Sequence, residues 1–179
     1  IDEHYYRRPE WFFLFFSRYD NYDRSGSKIF AGEYAAQSDK TVSIDNKNNL
    51  RTAIAEAAFL TGLERNADVV MMASYAPLFA HVDGWQWTPD LIWVDNLRSY
   101  GSANYQVQKL YSTNKGTHTV PALFNNKPLT GQDSLYASAV IDKNTNEVII
   151  KVVNSAPIEK ETCFAFEGVK KLGVQALVT

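Results

Sequence analysis

Residues 28–77 read KIFAGEYAAQSDKTVSIDNKNNLRTAIAEAAFLTGLERNADVVMMASYAP. Three patterns follow one another in this stretch. Lys28 to Ala35 mixes Ile, Phe and Tyr with small residues and predicts a short strand; Gly32 inside it lets another group approach the backbone closely. Gln37 to Lys47 is a polar loop. Asn48 or Asn49 can cap a long helix, because Leu50, Ala53, Ile54, Ala57, Ala58 and Leu63 keep a helical period to about Arg65. Val69 to Ala76 is a near-continuous apolar run halted by Pro77. That predicts a strand buried on both faces of a parallel sheet, with Met71 and Met72 as core fillers.

The flanking segments extend the alternation. Residues 1–6 read as a strand end. Glu10 to Tyr22 reads as a helix with Pro9 near its start, where a missing N–H costs little. Asp23 to Ser27 is a turn. Leu78 to Asn96 is a loop holding three of the four Trp, and a helix runs from about Asn104 to Thr113. Strand and helix thus alternate three times, the α/β logic of a parallel sheet with right-handed crossovers. After residue 114 the pattern changes. Thr119–Phe124, Leu135–Asp142, Glu147–Asn154, Thr162–Phe166 and Val174–Val178 read as short strands between turn clusters, with a hairpin loop at Asp142 to Glu147. This predicts an antiparallel sheet in a β-sandwich. The expected division is therefore 1–113 and 114–179.

Composition narrows the function classes. The chain has 179 residues and a formal net charge of -2, with no block of like charges, so it lacks the electrostatic footprint of a nucleic-acid binder. Its longest apolar run, Trp11 to Phe16, is far short of the ~20 residues needed to span a bilayer. A single cysteine, Cys163, excludes an intrachain disulfide and a cysteine zinc site. The chain opens on Ile1 without an initiator Met or signal segment and ends within a strand-like pattern; we read it as a piece of a longer polypeptide. Of its 4 Trp, 10 Tyr and 10 Phe, only Phe124, Tyr136, Phe164 and Phe166 lie beyond residue 112. This skew fits either the wall of a pocket for a ring-shaped ligand or the filling of a large core.

Sites in parallel α/β folds gather at the carboxyl ends of the strands. Those positions carry His4, Tyr5 and Tyr6; then Glu33 and Tyr34; then Ser74, Tyr75 and a loop with His81, Asp83, Trp85, Trp87 and Asp90. An acid at the end of an apolar strand is costly unless paired or used, and nearby tyrosines can donate to it and hold it ionised. Glu33 is thus either a functional carboxylate or a strand-end group that caps the next helix or pairs with Arg65. His4 and His81 lack a third ligand at metal-binding spacing, so no metal or other cofactor is expected. Glu56 reads as structural, paired with Arg51 or Arg65.

Several segments together resemble a known family: Asp2-Glu3-His4-Tyr5-Tyr6, Tyr19-Asp20-Asn21-Tyr22-Asp23-Arg24, Phe30-Ala31-Gly32-Glu33-Tyr34-Ala35, Asn48-Asn49-Leu50, and Ala55 to Asn66. Met72-Ala73-Ser74-Tyr75-Ala76-Pro77-Leu78-Phe79 and Trp87-Thr88-Pro89-Asp90-Leu91-Ile92 add to them. They resemble, in this order, the α-L-arabinofuranosidases of glycoside hydrolase family 51. The likeness covers residues 1–120; only the Phe12-Phe13-Leu14-Phe15-Phe16 run is more apolar than that pattern. The resemblance implies that residues 1–113 are strands six to eight of a TIM (β/α)8 barrel with their helices, followed by the β-sandwich. It also implies a retaining mechanism, with a nucleophilic carboxylate and a proton-donating one about 5–5.5 Å apart. By this likeness Glu33 is the nucleophile, Tyr6 hydrogen-bonds it, His4 lines the sugar site, and Trp87 and Asp90 contact the arabinose. The family's acid/base glutamate sits in a Gly-Asn-Glu motif that this sequence does not contain.

The implied parent enzyme releases terminal α-L-arabinofuranosyl groups from arabinose-containing oligo- or polysaccharides, and the isolated piece is expected to be inactive. Its expected partners are that saccharide and the rest of its parent chain or further copies of itself, not nucleic acid or membrane. The alternatives are a non-catalytic carbohydrate-binding or structural module, and a related glycosidase acting on xylosides or β-glucans.

Overall fold

The computed structural model describes residues 1–179 except Lys170 and Val174. The chain runs β1 (Asp2–Arg7), α1 (Pro9–Phe15), β2 (Ile29–Ala36), α2 (Leu50–Arg65) and β3 (Val70–Tyr75). The three strands form a parallel sheet in the order β1-β2-β3. An insertion follows, made of β4 (Phe79–His81), β5 (Ile92–Val94) and β6 (Ser99–Gly101), and leads into α3 (Ala103–Thr113). The expected loop at 78–96 therefore contains strands of its own, with β5 parallel to β4 and antiparallel to β6.

The long helix α2 starts where its capping residues sit. The Asn49 side chain accepts from Thr52 N–H at 3.0 Å, and the Thr52 hydroxyl accepts from Asn49 N–H at 3.0 Å. Each satisfies an N–H that the first turn cannot. Its alanines let it pack on two sides. Ala55, Phe59 and Leu63 join Tyr5, Phe12, Ile29, Tyr34 and Val69 in the main core, while Ala57 and Ala58 pack with Tyr136 and Val153.

Helix α1 ends earlier than expected, at Phe15 rather than Tyr22. The Phe16 carbonyl lies against Gly62 so closely that a Cβ there would sit 1.8 Å from it. Arg65 donates to the same carbonyl at 3.4 Å. Single turns then replace the helix, with Arg18, Asp20 and Tyr22 N–H bonding the carbonyls of Phe15, Ser17 and Tyr19. Asp20 is held by Arg65 and Asn66.

A second correction concerns β3. Val70 and Tyr75 are buried, but Met71 to Ser74 are exposed. Among the described residues β3 pairs only with β2 and nothing covers its other side, so Met71 and Met72 are not core residues here.

The second half holds β7 (His118–Val120), β8 (Leu123–Phe124), β9 (Lys127–Pro128), β10 (Leu135–Asp142) and β11 (Glu147–Asn154). β10 and β11 coincide with expectation, and the sheet is antiparallel in the order β11-β10-β7. The strand expected over 119–124 is divided at Pro121, which has no N–H for a ladder. β8 and β9 turn through Asn125 and Asn126, both at positive φ. Residues 162–166 are not a strand. Of the strand expected at 174–178, Val174 lies outside the described residues and 175–178 carry no strand. The region is sheet-rich, but the described residues show one three-stranded sheet facing α2 rather than a second sheet opposite it.

Candidate active site

The site begins with an irregularity in β2. Glu3 pairs with Ala31 but His4 pairs with Glu33, so Gly32 is an extra residue relative to β1. The β3 register shifts in the same segment, between Ala31 and Tyr34. Such a bulge re-aims the side chains that follow it. Ala31 and Tyr34, three apart, both face the core, and Glu33 is left on the side of His4 and Tyr6. A Cβ at residue 32 would sit 2.0 Å from Asp2 Oδ1, so a larger residue here would push the Asp2 carboxylate away from its place beside His4. The Ser74 hydroxyl of β3 donates to the Gly32 carbonyl and fastens the bulge from the other side.

The Tyr6 hydroxyl donates to Glu33 Oε2 at 2.7 Å. His4 Nδ1 lies 3.4 Å from the same oxygen, and His4 Nε2 lies 3.0 Å from Asp2 Oδ2. Asp2, His4 and Tyr6 alternate along β1 and so share a face. Burial, reinforced by the Glu33 carboxylate, raises the Tyr6 hydroxyl pKa and keeps it a donor. The Glu33 side chain is 43% exposed. One of its oxygens is thus anchored, and the carboxylate remains open to a reacting group.

Glu3, on the opposite face of β1, is a different kind of acid. Arg18 donates to it at 3.2 and 3.3 Å, Tyr19 at 2.6 Å and Tyr22 at 3.1 Å, and Tyr5 donates as well. Burial opposes its ionisation, but Arg18, Tyr19 and Tyr22 outweigh that and hold its pKa below the ordinary value. It is fastened into the wall and turned away from Tyr6, as strand alternation requires.

The other expected site residues lie in the insertion. Trp87 is 51% exposed, and Asp90 is 2% exposed with Oδ2 unpartnered. Burial pushes the Asp90 carboxyl up to about 6. Neither shares a hydrogen bond with Glu33, Tyr6 or His4 among the described residues, so the structure joins those three and Asp2, not all five. His81 bonds Asn96 and Asp83 N–H. Among the described residues no three His, Cys, Asp or Glu gather where they could hold a metal ion.

Glu56 corrects the sequence reading. Arg51 pairs with Glu10 at 2.6 Å and Arg65 with Asp20 at 2.9 Å, and Glu33 pairs with neither. Glu56 is wholly buried instead and accepts the Ala36 N–H at 2.8 Å, tying α2 to the end of β2. Burial pushes its carboxyl up to about 8. The available signal was a lone acid inside the run Ala53-Ile54-Ala55-Glu56-Ala57-Ala58. Asp2 was also missed, although its two-residue spacing from His4 marks a shared face.

Residues 32–177 match the family model described as the alpha-L-arabinofuranosidase C-terminal domain. An extracellular exo-alpha-L-arabinofuranosidase of Streptomyces chartreusis is 52% identical over 128 residues, covering 72% of this chain and 14% of the relative. Alpha-L-arabinofuranosidase 1 of Arabidopsis thaliana is 36% identical over 155 residues, covering 86% of this chain and 22% of the relative. The chain thus spans about a seventh to a fifth of the length of these curated relatives. Among solved structures, an arabinose-bound MgGH51 α-L-arabinofuranosidase superposes with a TM-score of 0.77 at 37% identity, over 86% of this chain and 25% of that one. An arabinose complex of the Thermotoga maritima α-L-arabinofuranosidase shares the fold, with a TM-score of 0.58 at 20% identity, over 86% of this chain and 37% of that one.

Proposed function

This chain belongs to the alpha-L-arabinofuranosidase C-terminal domain family, within glycoside hydrolase family 51, and from that premise we propose that its parent protein is a retaining glycosidase that removes terminal α-L-arabinofuranosyl groups. Glu33 is the nucleophile of this reading. Its carboxylate attacks the anomeric carbon, the glycosidic oxygen leaves with a proton from a second, protonated carboxyl group, and water, deprotonated by that same group, then cleaves the glycosyl ester. The observation that carries the reading is Glu33 itself: re-aimed by a bulge, anchored through one oxygen by Tyr6 and flanked by His4, yet still half open.

Tyr6 orients the nucleophile and His4 lines the sugar site. Trp87 and Asp90 complete the proposed sugar contacts; the exposure of Trp87 supports this, whereas Asp90 serves only a group that reaches down to Oδ2. The parallel sheet and its helices are read as strands six to eight of a (β/α)8 barrel, and the antiparallel sheet as part of a β-sandwich. The family match runs across the proposed boundary at 113 and 114. The acid/base glutamate belongs to the rest of the parent chain, so the isolated piece should not cleave glycosides. The natural ligand is an arabinose-containing saccharide.

The test is Glu33→Ala in the full-length protein. Hydrolysis of 4-nitrophenyl α-L-arabinofuranoside should fall on the order of 10⁴-fold or more, and added azide should restore turnover by attacking in place of the missing carboxylate. Substantial activity without azide would remove Glu33 from the role.

A further inference from the structure

Asp2 stands apart from the other acids of the parallel sheet's two ends. Glu3 is tied by Arg18 and Asp20 by Arg65, whereas the one side chain that bonds Asp2 among the described residues is His4. We propose that Asp2 is a positioning residue for the Glu33 nucleophile, acting through the His4 ring. The proposal rests on the glycosidase reading above and extends it one side chain further from the sugar.

Backbone register makes the arrangement. Asp2 and His4 are two residues apart on β1 and share a face. The extra residue at Gly32 sets Glu33 directly opposite His4. The two oxygens of Asp2 then have separate surroundings. Oδ1 lies against Gly32, in the space a Cβ would take, and Oδ2 meets His4 Nε2 at 3.0 Å. The carboxylate is thus located at both ends, although the side chain is 55% exposed.

Chemistry gives the contact a direction. A carboxylate only accepts, so the hydrogen of this bond belongs to Nε2. That fixes the rotation of the ring and turns Nδ1 toward Glu33 Oε2, 3.4 Å away. Oε2 is also the oxygen that accepts from Tyr6, at 2.7 Å. Tyr6 and His4 therefore define one end of the carboxylate, and attack on the anomeric carbon falls to Oε1.

The tether is useful because Glu33 changes during the reaction. When Oε1 bonds the sugar, the negative charge that Oε2 shared is lost and its contact with His4 weakens. Asp2 keeps its charge throughout. A ring held at Nε2 by a group that does not react stays in place for both the attack and the later hydrolysis.

The experiment is a double-mutant cycle in the full-length protein, with 2,4-dinitrophenyl α-L-arabinofuranoside as substrate. Dinitrophenolate departs with the bonding electron pair and needs no proton, so its first-turnover release, followed by stopped flow, reports the attack of Glu33 alone. Asp2→Ala should slow that release about tenfold, with half-saturating substrate concentration changed less than about twofold. In a His4→Ala background the same substitution should have almost no further effect, because the ring through which Asp2 acts is gone. Asp2→Asn, whose amide oxygen still accepts the Nε2 hydrogen, should recover part of the rate. An equal loss with and without His4, or no recovery in Asp2→Asn, overturns the proposal while the glycosidase reading stands. Asp2→Ser, too short to reach Nε2, replaces Asp2→Ala if that variant does not fold. A wild type that does not cleave the glycoside, or a Glu33→Ala variant that still does, sinks the reading and the role of Asp2 together.

Discussion

A hydroxyl that donates to a carboxylate fixes where one oxygen lies and how its charge is shared. Tyr6 does this for Glu33 at 2.7 Å. Hydrogen bonds to charged groups contribute about 1.5–3 kcal/mol net, and the exposure of Glu33 places this one at the low end. Tyr6→Phe should therefore lower kcat for arabinofuranoside hydrolysis about tenfold with a smaller change in KM, checked by steady-state kinetics on the full-length protein. Glu56 supplies a pH prediction at the same scale. Unfolded, its carboxyl loses its proton near 4.5; folded, burial holds the proton to about 8. Between those values folding takes up a proton, so this group's contribution to stability falls as pH rises through the window. Melting temperatures from pH 5 to 8 should fall more steeply in the wild type than in Glu56→Gln, which mimics the protonated form. Parallel slopes would show that Glu56 does not titrate there. Neither role could be read from composition: Tyr6 and Glu33 are 27 residues apart and meet only because β1 and β2 pair.

At the scale of elements, legibility followed how local the cause was. The start of α2 was readable because its cap and its period are neighbours in sequence, and β10 and β11 because turn residues bracket alternating runs. The bulge was not readable, since Gly32 becomes an extra residue only against the registers of β1 and β3. The early end of α1 was hidden for the same reason: the run from Trp11 to Phe16 favours continuation, but the Phe16 carbonyl is held by Gly62 and Arg65 from a helix about fifty residues later. That contact makes Gly62 the sharpest packing constraint in α2. Gly62→Ala would place a methyl group 1.8 Å from a backbone oxygen. Neither partner is a flexible side chain, so the turn after α1 or the helix itself must shift. Despite the better helix propensity of alanine, overpacking of this kind costs about 1–3 kcal/mol. Chemical denaturation should show a lower midpoint; an unchanged or higher one would mean that the two segments separate freely.

At the scale of the whole molecule the question is how far the two halves depend on each other. Helix α2 carries the parallel sheet on one side and meets β10 and β11 on the other. Glu64 near its end accepts from Lys151 Nζ of β11 at 2.5 Å and from the Ser138 hydroxyl of β10 at 2.5 Å. The Lys151 and Glu64 side chains are 10% and 16% exposed, so the pair is shielded from water. Lys151 also lies 5.4 Å from the centre of the Tyr111 ring, and Tyr111 donates to the Ala57 carbonyl at 2.9 Å. The sequence pattern changes near residue 114, which marks a boundary in secondary structure without showing that each side has its own core. Lys151→Met should leave Glu64 charged with Ser138 as its remaining partner, a loss of about 3 kcal/mol. Adding Glu64→Gln should recover much of that loss, because the orphaned charge then disappears. If the halves fold as one unit, thermal unfolding of the chain stays a single transition that moves down in the first variant and back in the second. If β10 and β11 form an independent unit, Lys151→Met instead splits the unfolding in two, and the transition of the parallel sheet stays where it was.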